Sequence, residues 1–117
     1  MDIEWVRRHC LSFPHATEQV QWGDNLVFKV EGKIFAILGL EPGGQFLCCK
    51  CSPEEAAELV ERDGVIPAPY LARANWVALE REDALSAAEL KQLVARSYEL
   101  VVAKLPKTKQ AALRKKA

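Results

Sequence analysis

The sequence predicts an α+β domain in which an antiparallel sheet carries its helices mainly on one face. Three observations point there. Four β-rich runs lie together between residues 17 and 50, flanked by helical patterns, and strands grouped in this way favour an antiparallel sheet over a doubly wound parallel one. Apolar residues make up 50% of the chain and charged residues 27%, which is ordinary globular composition. At 117 residues the chain matches the usual size of one domain, which buries roughly two thirds of the surface its unfolded form exposes.

Taken in order, Asp2 to Leu11 reads as a short helix, with Ile3, Val6, Cys10 and Leu11 on one side and an acid in the first turn, where the helix dipole favours it. Pro14 ends it. Thr17 to Trp22 alternates as a short strand, and Gly23-Asp24-Asn25 turns the chain. Leu26 to Glu31 and Lys33 to Leu40 follow as two β-rich runs separated by the hairpin signal Glu31-Gly32. Pro42-Gly43-Gly44 makes a second turn, and Gln45 to Lys50 returns as a strand, which completes a meander. On a regular strand Phe35 and Ile37 share one face while Ile34, Ala36 and Leu38 share the other, so Lys33 to Leu40 is apolar on both. The face that the helices leave open then needs its own cover: a second subunit, a bound partner or the long loop around Tyr70.

The period changes after Lys50. Ser52-Pro53-Glu54-Glu55 puts Ser at a helix cap, Pro at the first helical position and Glu at the third, so a helix begins here and runs to about Arg62, before Asp63-Gly64. Val65 to Ala74 contains Pro67 and Pro69 and is expected as an ordered loop ahead of a strand from Asn75 to Glu80. Ser86-Ala87-Ala88-Glu89 is a second capping box, and Leu90, Leu93, Val94, Ser97, Leu100 and Val101 form one apolar stripe on the helix that follows. Pro106 ends it. The expected organisation is a single domain over 1–106 and a basic C-terminal tail over 107–117. No apolar run approaches the ~18 residues that span a bilayer, and the start Met1-Asp2-Ile3-Glu4-Trp5 lacks the order of a secretory signal. A cytoplasmic protein without a membrane partner is expected.

Charge is balanced overall and segregated along the chain. From Lys104 onward there are six basic residues and no acid, whereas residues 1–103 hold ten basic residues against sixteen acids. A basic end of this kind tracks a nucleic-acid backbone or an acidic partner, or simply makes a solvated helical tail.

Few residues suggest catalysis. Cys48-Cys49-Lys50-Cys51 contains a C-x-x-C ahead of a helix, the setting of a redox thiol or half a zinc site. Only His9, Cys10 and His15 are left to complete a metal site, their spacing fits no zinc pattern, and a strand points Cys48 away from Cys49 and Cys51. Structural cysteines with no metal or other cofactor are the expectation. Ser12 and Ser52 stand at helix ends, Ser97 lies mid-helix, and neither histidine has a nucleophile at triad spacing. Gly43-Gly44 lacks the Lys-Ser/Thr continuation of a phosphate loop. No catalytic residue is assigned, and a non-enzymatic binding protein is expected. Trp22, Tyr70, Arg73 and Trp76, with Lys33 and Lys50, suit a groove that stacks bases or holds phosphates.

An ordered set of features carries a resemblance. It comprises Phe13-Pro14 after the first helix, the hairpin from Val27 to Ala36, Lys50 with Cys51-Ser52-Pro53-Glu54, Trp76-Val77, Ser97-Tyr98 and Lys104-Leu105-Pro106. In that order the chain resembles the MmcQ/YjbR family of small bacterial proteins over nearly its full length. The resemblance implies a YjbR-like α+β fold, similar in architecture to type III secretion chaperones. It also implies DNA binding, which would fall on Lys33, Lys50, Arg73 and Trp76. Cys49 and Cys51 depart from the family pattern. The alternative partner is a protein, or a second copy in a homodimer, held by an apolar sheet face in a chaperone-like manner.

Overall fold

The computed structural model describes residues 2–41, 44–69 and 71–116, the last three of these as backbone only; Tyr70 and Pro42-Gly43 of the second turn lie outside the described residues. Capping starts each of the first three helices. The Asp2 carboxylate accepts from the Trp5 amide at 2.9 Å and opens α1 (Ile3–Leu11). Reciprocal Ser–Glu boxes, Ser52 with Glu55 and Ser86 with Glu89, open α2 (Pro53–Leu59) and α3 (Ala87–Ala103). Helix α2 stops three residues short of Arg62, because the chain turns at Val60 and Arg62 swings across to pair with Glu89 on α3 at 2.6 Å.

Six strands form one antiparallel sheet: β1 (Ala16–Gln21), β2 (Asn25–Val30), β3 (Lys33–Gly39), β4 (Leu47–Lys50), β5 (Val65–Pro67) and β6 (Trp76–Leu79), in the order β1-β2-β3-β4-β6-β5. The β2–β3 turn is closed by Glu31 and Gly32, both at positive φ (50° and 80°), the geometry of a two-residue hairpin that matches strand twist. Gly39 ends β3 where a Cβ would overlap the Gln45 carbonyl.

Two expectations are corrected. The segment Val65 to Ala74 is no plain loop, since Val65–Pro67 pairs with β6 as the outermost strand and Ala72–Ala74 makes a 3₁₀ turn. Pro67 cannot donate a ladder hydrogen bond, and an edge strand is the place where that loss is tolerated. The second correction concerns β3. Phe28 faces Ala36 but Lys29 faces Ile34, so a β-bulge absorbs one residue at Phe35 and reverses the alternation there. Phe35, Ala36 and Leu38 consequently all join the helix-side core, and Ile34 and Ile37 face outward together.

The centre of the helix side is sealed. Val6 and Cys10 of α1, Leu90 and Val94 of α3, and Phe28, Phe35, Leu47 and Leu79 of the sheet form one buried cluster. Aromatic rings link its elements: Phe13 stacks on Tyr98 at 4.8 Å, and Phe35 meets Tyr98 edge-on at 5.2 Å. On the outer face a smaller cluster of Ala68, Trp76 and Ala78 is joined by half-buried Ile34, Ile37, Cys48, Ile66 and Leu71. Part of the cover for that face is thus the segment containing Ala68 and Leu71, on either side of Tyr70. The basic residues after Pro106 form α4 (Lys107–Lys116), which docks by burying Leu113 and by Gln110 Nε2 donating to the Leu105 carbonyl at 2.8 Å. Among the described residues no helix is long and apolar enough to cross a membrane.

Candidate functional site

The bulge and α3 together place the basic residues. Ser97, fully buried in mid-α3, donates to the Phe35 carbonyl at 2.6 Å and accepts from the Lys50 amide at 2.9 Å. One hydroxyl therefore satisfies both strands beside the bulge, where the ladder has a gap. Lys50 ends β4 opposite Trp76 of β6, and Lys33 begins β3. With the last turn of α3 these residues surround a groove of about 340 Å³ lined by Lys33, Ile34, Lys50, Trp76, Val101, Lys104 and Leu105.

The groove carries three ammonium groups and no carboxylate in its lining. Lys50 donates to the Ala74 carbonyl at 3.2 Å; burial and then the nearby Lys104 charge hold its pKa below the ordinary lysine value. Among the described residues, every ion pair uses arginine or histidine and none uses lysine. The outward rows of the strands continue the pattern, with Lys29 and Lys50 and no acid; Glu18, the one strand carboxylate, lies in the helix-side row with Phe28 and Ala36. A second, more apolar groove of about 460 Å³ opens on the same outer face between Trp22, Ile37, Cys48, Pro69 and Leu71. Trp22 is 66% exposed and is held at φ 51°, an uncommon conformation for a bulky side chain.

Of the four residues expected to contact nucleic acid, three meet. Lys33, Lys50 and Trp76 share the lysine groove, whereas Arg73 stands exposed on the Ala72–Ala74 turn, outside the groove lining. Trp76 is only 8% exposed, so it floors the groove rather than offering a free ring. Lys104 lines the same groove and is not one of the four expected contacts. Lys104 was counted with the basic end of the chain, and a signal existed only in the coincidence of that end with the last turn of α3.

The groups that suggested chemistry are engaged elsewhere. Cys49 and Cys51 are buried on the helix side, and Cys48 points the other way. Burial raises the thiols of Cys10 and Cys51 to about 12 and that of Cys48 to about 11, the reverse of an activated thiolate. His15 Nδ1 lies 2.8 Å from the Glu31 carboxylate, and His9 stacks on Trp5 and meets Phe13 edge-on, where burial lowers its pKa.

The family model YjbR matches residues 11–100 of the chain. The chain belongs to the YjbR family. Protein YjbR of Escherichia coli (strain K12) is 29% identical over 117 residues, covering 97% of this chain and 98% of its own length, and the O157:H7 protein YjbR matches equally. Among solved structures, Deinococcus radiodurans protein DR2400, a DUF419 domain, is similar with a TM-score of 0.85 and 26% identity, over 95% of this chain and 86% of its own. A Pseudomonas syringae protein shares the fold with a TM-score of 0.71 at 19% identity, over 86% of this chain and 99% of that one. In this YjbR-family chain the motif residues meet in space. Tyr98 Oη donates to the Pro14 carbonyl at 2.7 Å, and Ser97 ties Phe35 to Lys50.

Proposed function

We propose that this YjbR-family chain acts by binding rather than catalysis, and that its ligand is DNA held at the lysine groove. The observation that carries this reading is the segregation of charge. Lys33, Lys50 and Lys104 converge on one groove with no carboxylate in its lining, in a chain whose sixteen acids equal its basic residues in number. Three ammonium groups on one groove with no carboxylate among them are stabilised by an anion, and a row of phosphates supplies several at regular spacing. The apolar floor of Ile34, Trp76 and Leu105 excludes water beneath the charges, which strengthens each contact. Helix α4 extends the surface with Lys107 and Lys109, both exposed. The engagement of Ser97, the caps at Ser52 and Ser86 and the raised thiols support a binding rather than a reacting role.

Fluorescence anisotropy with labelled duplex and single-stranded oligonucleotides tests the reading. If three lysines each neutralise one duplex phosphate, log affinity falls against log salt with a slope of about −2.7, and Lys104→Gln or Lys33→Gln each removes about 0.9 of it. An unchanged anisotropy at low salt with both ligands would rule it out.

A further inference from the structure

The two large apolar side chains that stand exposed among the described residues, Val20 (59%) and Trp22 (66%), both lie on β1 or in the turn directly after it. Strand β1 is a sheet edge. It pairs with β2 along all six of its residues, and among the described residues no backbone group of residues 17–21 bonds to anything beyond β2. In an antiparallel ribbon every second residue of such an edge turns its N–H and C=O outward, a ready template for another strand. The opposite edge is protected, because β5 has three residues and ends in Pro67. Strand β1, Ala16-Thr17-Glu18-Gln19-Val20-Gln21, has no proline, lysine or arginine to deter pairing. Its single charge is paired within the chain, since Arg7 clamps Glu18 through two bonds of 2.8 and 2.7 Å, though the carboxyl, held below its ordinary range, stays ionised.

We propose that β1 is the contact strand of a homodimer, in which two copies pair antiparallel about a two-fold axis through Gln19 and extend one sheet across both. The partner is a second copy because the edge is complementary to itself. For the helix faces of both sheets to lie on the same side, opposed residues must have matching parity, which leaves axes through Glu18 or Gln19 near the middle of the strand. An axis at Glu18 sets two carboxylates directly opposite each other, a destabilising pair. An axis at Gln19 instead sets Gln19 against its own mate, Thr17 against Gln21, and the exposed Val20 beside the Arg7-clamped Glu18 of the second copy. It also brings the Trp22 turn of each copy next to the Ala16 end of the other. This contact is independent of the lysine groove, which contains no residue of β1.

Cysteine cross-linking of the full chain in a Cys48→Ser background reads the register. Gln19→Cys should form an intermolecular disulfide on mild oxidation, since residues opposed on an antiparallel pair sit about 4.5–5.5 Å apart, within disulfide reach. Thr17→Cys, about 13 Å from its mate on this axis, should not. Sedimentation should give twice the 13.1 kDa chain mass, and Val20→Glu, which sets a second carboxylate opposite Glu18 of the other copy, should raise the dimer dissociation constant at least tenfold, with circular dichroism reporting an unchanged fold. A monomer at submillimolar concentration overturns the proposal, as does a dimer that cross-links at Thr17 and not Gln19, or one that Val20→Glu leaves intact. Monomers that capture an extended peptide along β1 would equally show that the edge serves another partner.

Discussion

On the helix side of the sheet Phe28, Phe35, Leu38, Leu47 and Leu79 have no exposed surface, while on the outer side Ile34, Ile37 and Cys48 are half-buried and Trp22 stands in solvent. The same strands supply both faces, and β3 divides its side chains between them through a single bulge. The helix side is closed by three kinds of interaction at once: apolar packing, ring contacts from Phe13 to Phe35, and the Ser97 hydroxyl across the strand gap. Among the described residues the outer side has Ala68 and Leu71 packed over one flank, and Lys50 stands on that face opposite Trp76. The difference separates what holds the fold from what is free to meet a partner. The motif residues Phe13-Pro14, Phe35 and Ser97-Tyr98 lie on the first side, and the lysine groove opens where the two sides meet at the end of α3.

The largest test of that division is a pair of truncations on one strand. Phe35→Ala should cost about 3–5 kcal/mol and Ile37→Ala under about 2 kcal/mol, measured by urea unfolding. Equal losses would mean that the outer face is as tightly packed as the inner one. Next, Ser97→Ala leaves the Phe35 carbonyl and the Lys50 amide unpaired in a buried gap and should cost about 1–3 kcal/mol, more than a serine in mid-helix otherwise contributes. A loss within about 0.5 kcal/mol, the range of an ordinary surface change, would show that the bulge closes without it.

The smallest effect is electrostatic. Glu89 is held down to about 2 from 4.5, first by its hydrogen bond from Arg62 and then by those from Ser86. Because the folded value is depressed, this contribution is full above the unfolded carboxylate value and is lost as pH falls from about 4.5 towards 2. Glu89→Gln should therefore flatten the acid limb of stability over that window and leave neutral pH little changed. The pair is solvent-exposed, so added salt should shrink the difference between the two proteins. A parallel acid limb in both would remove Glu89 from the account.

Much of the chain was legible because its signals are local. Ser52 and Ser86 each announced a helix through a glutamate three residues on, Glu31-Gly32 announced a hairpin, and all of them hold. The strand Val65–Pro67 was hidden because proline counts against a strand until its place at the sheet edge is known. The bulge at Phe35 was hidden because strict alternation is the default, and its reason lies in Ser97, 62 residues away. The candidate site was half legible. Lys33, Lys50 and Trp76 could be grouped by position on neighbouring strands, whereas Lys104 joins them only through the packing of α3 and Arg73 falls outside.

The sequence by itself determined the class of fold, the order of its helices and most strands, the opposite facing of Cys48 and Cys49, and the family. Each of these depends on spacing along the chain or on residue types that act within a turn or two. The tertiary structure decided which face Phe35 enters, that Trp76 is a floor and not an open ring, that three lysines share one groove, and that β1 is the unprotected edge. Those outcomes depend on which distant backbone groups remain unpaired and which side chains cover them, and they exist only once the sheet and α3 have met.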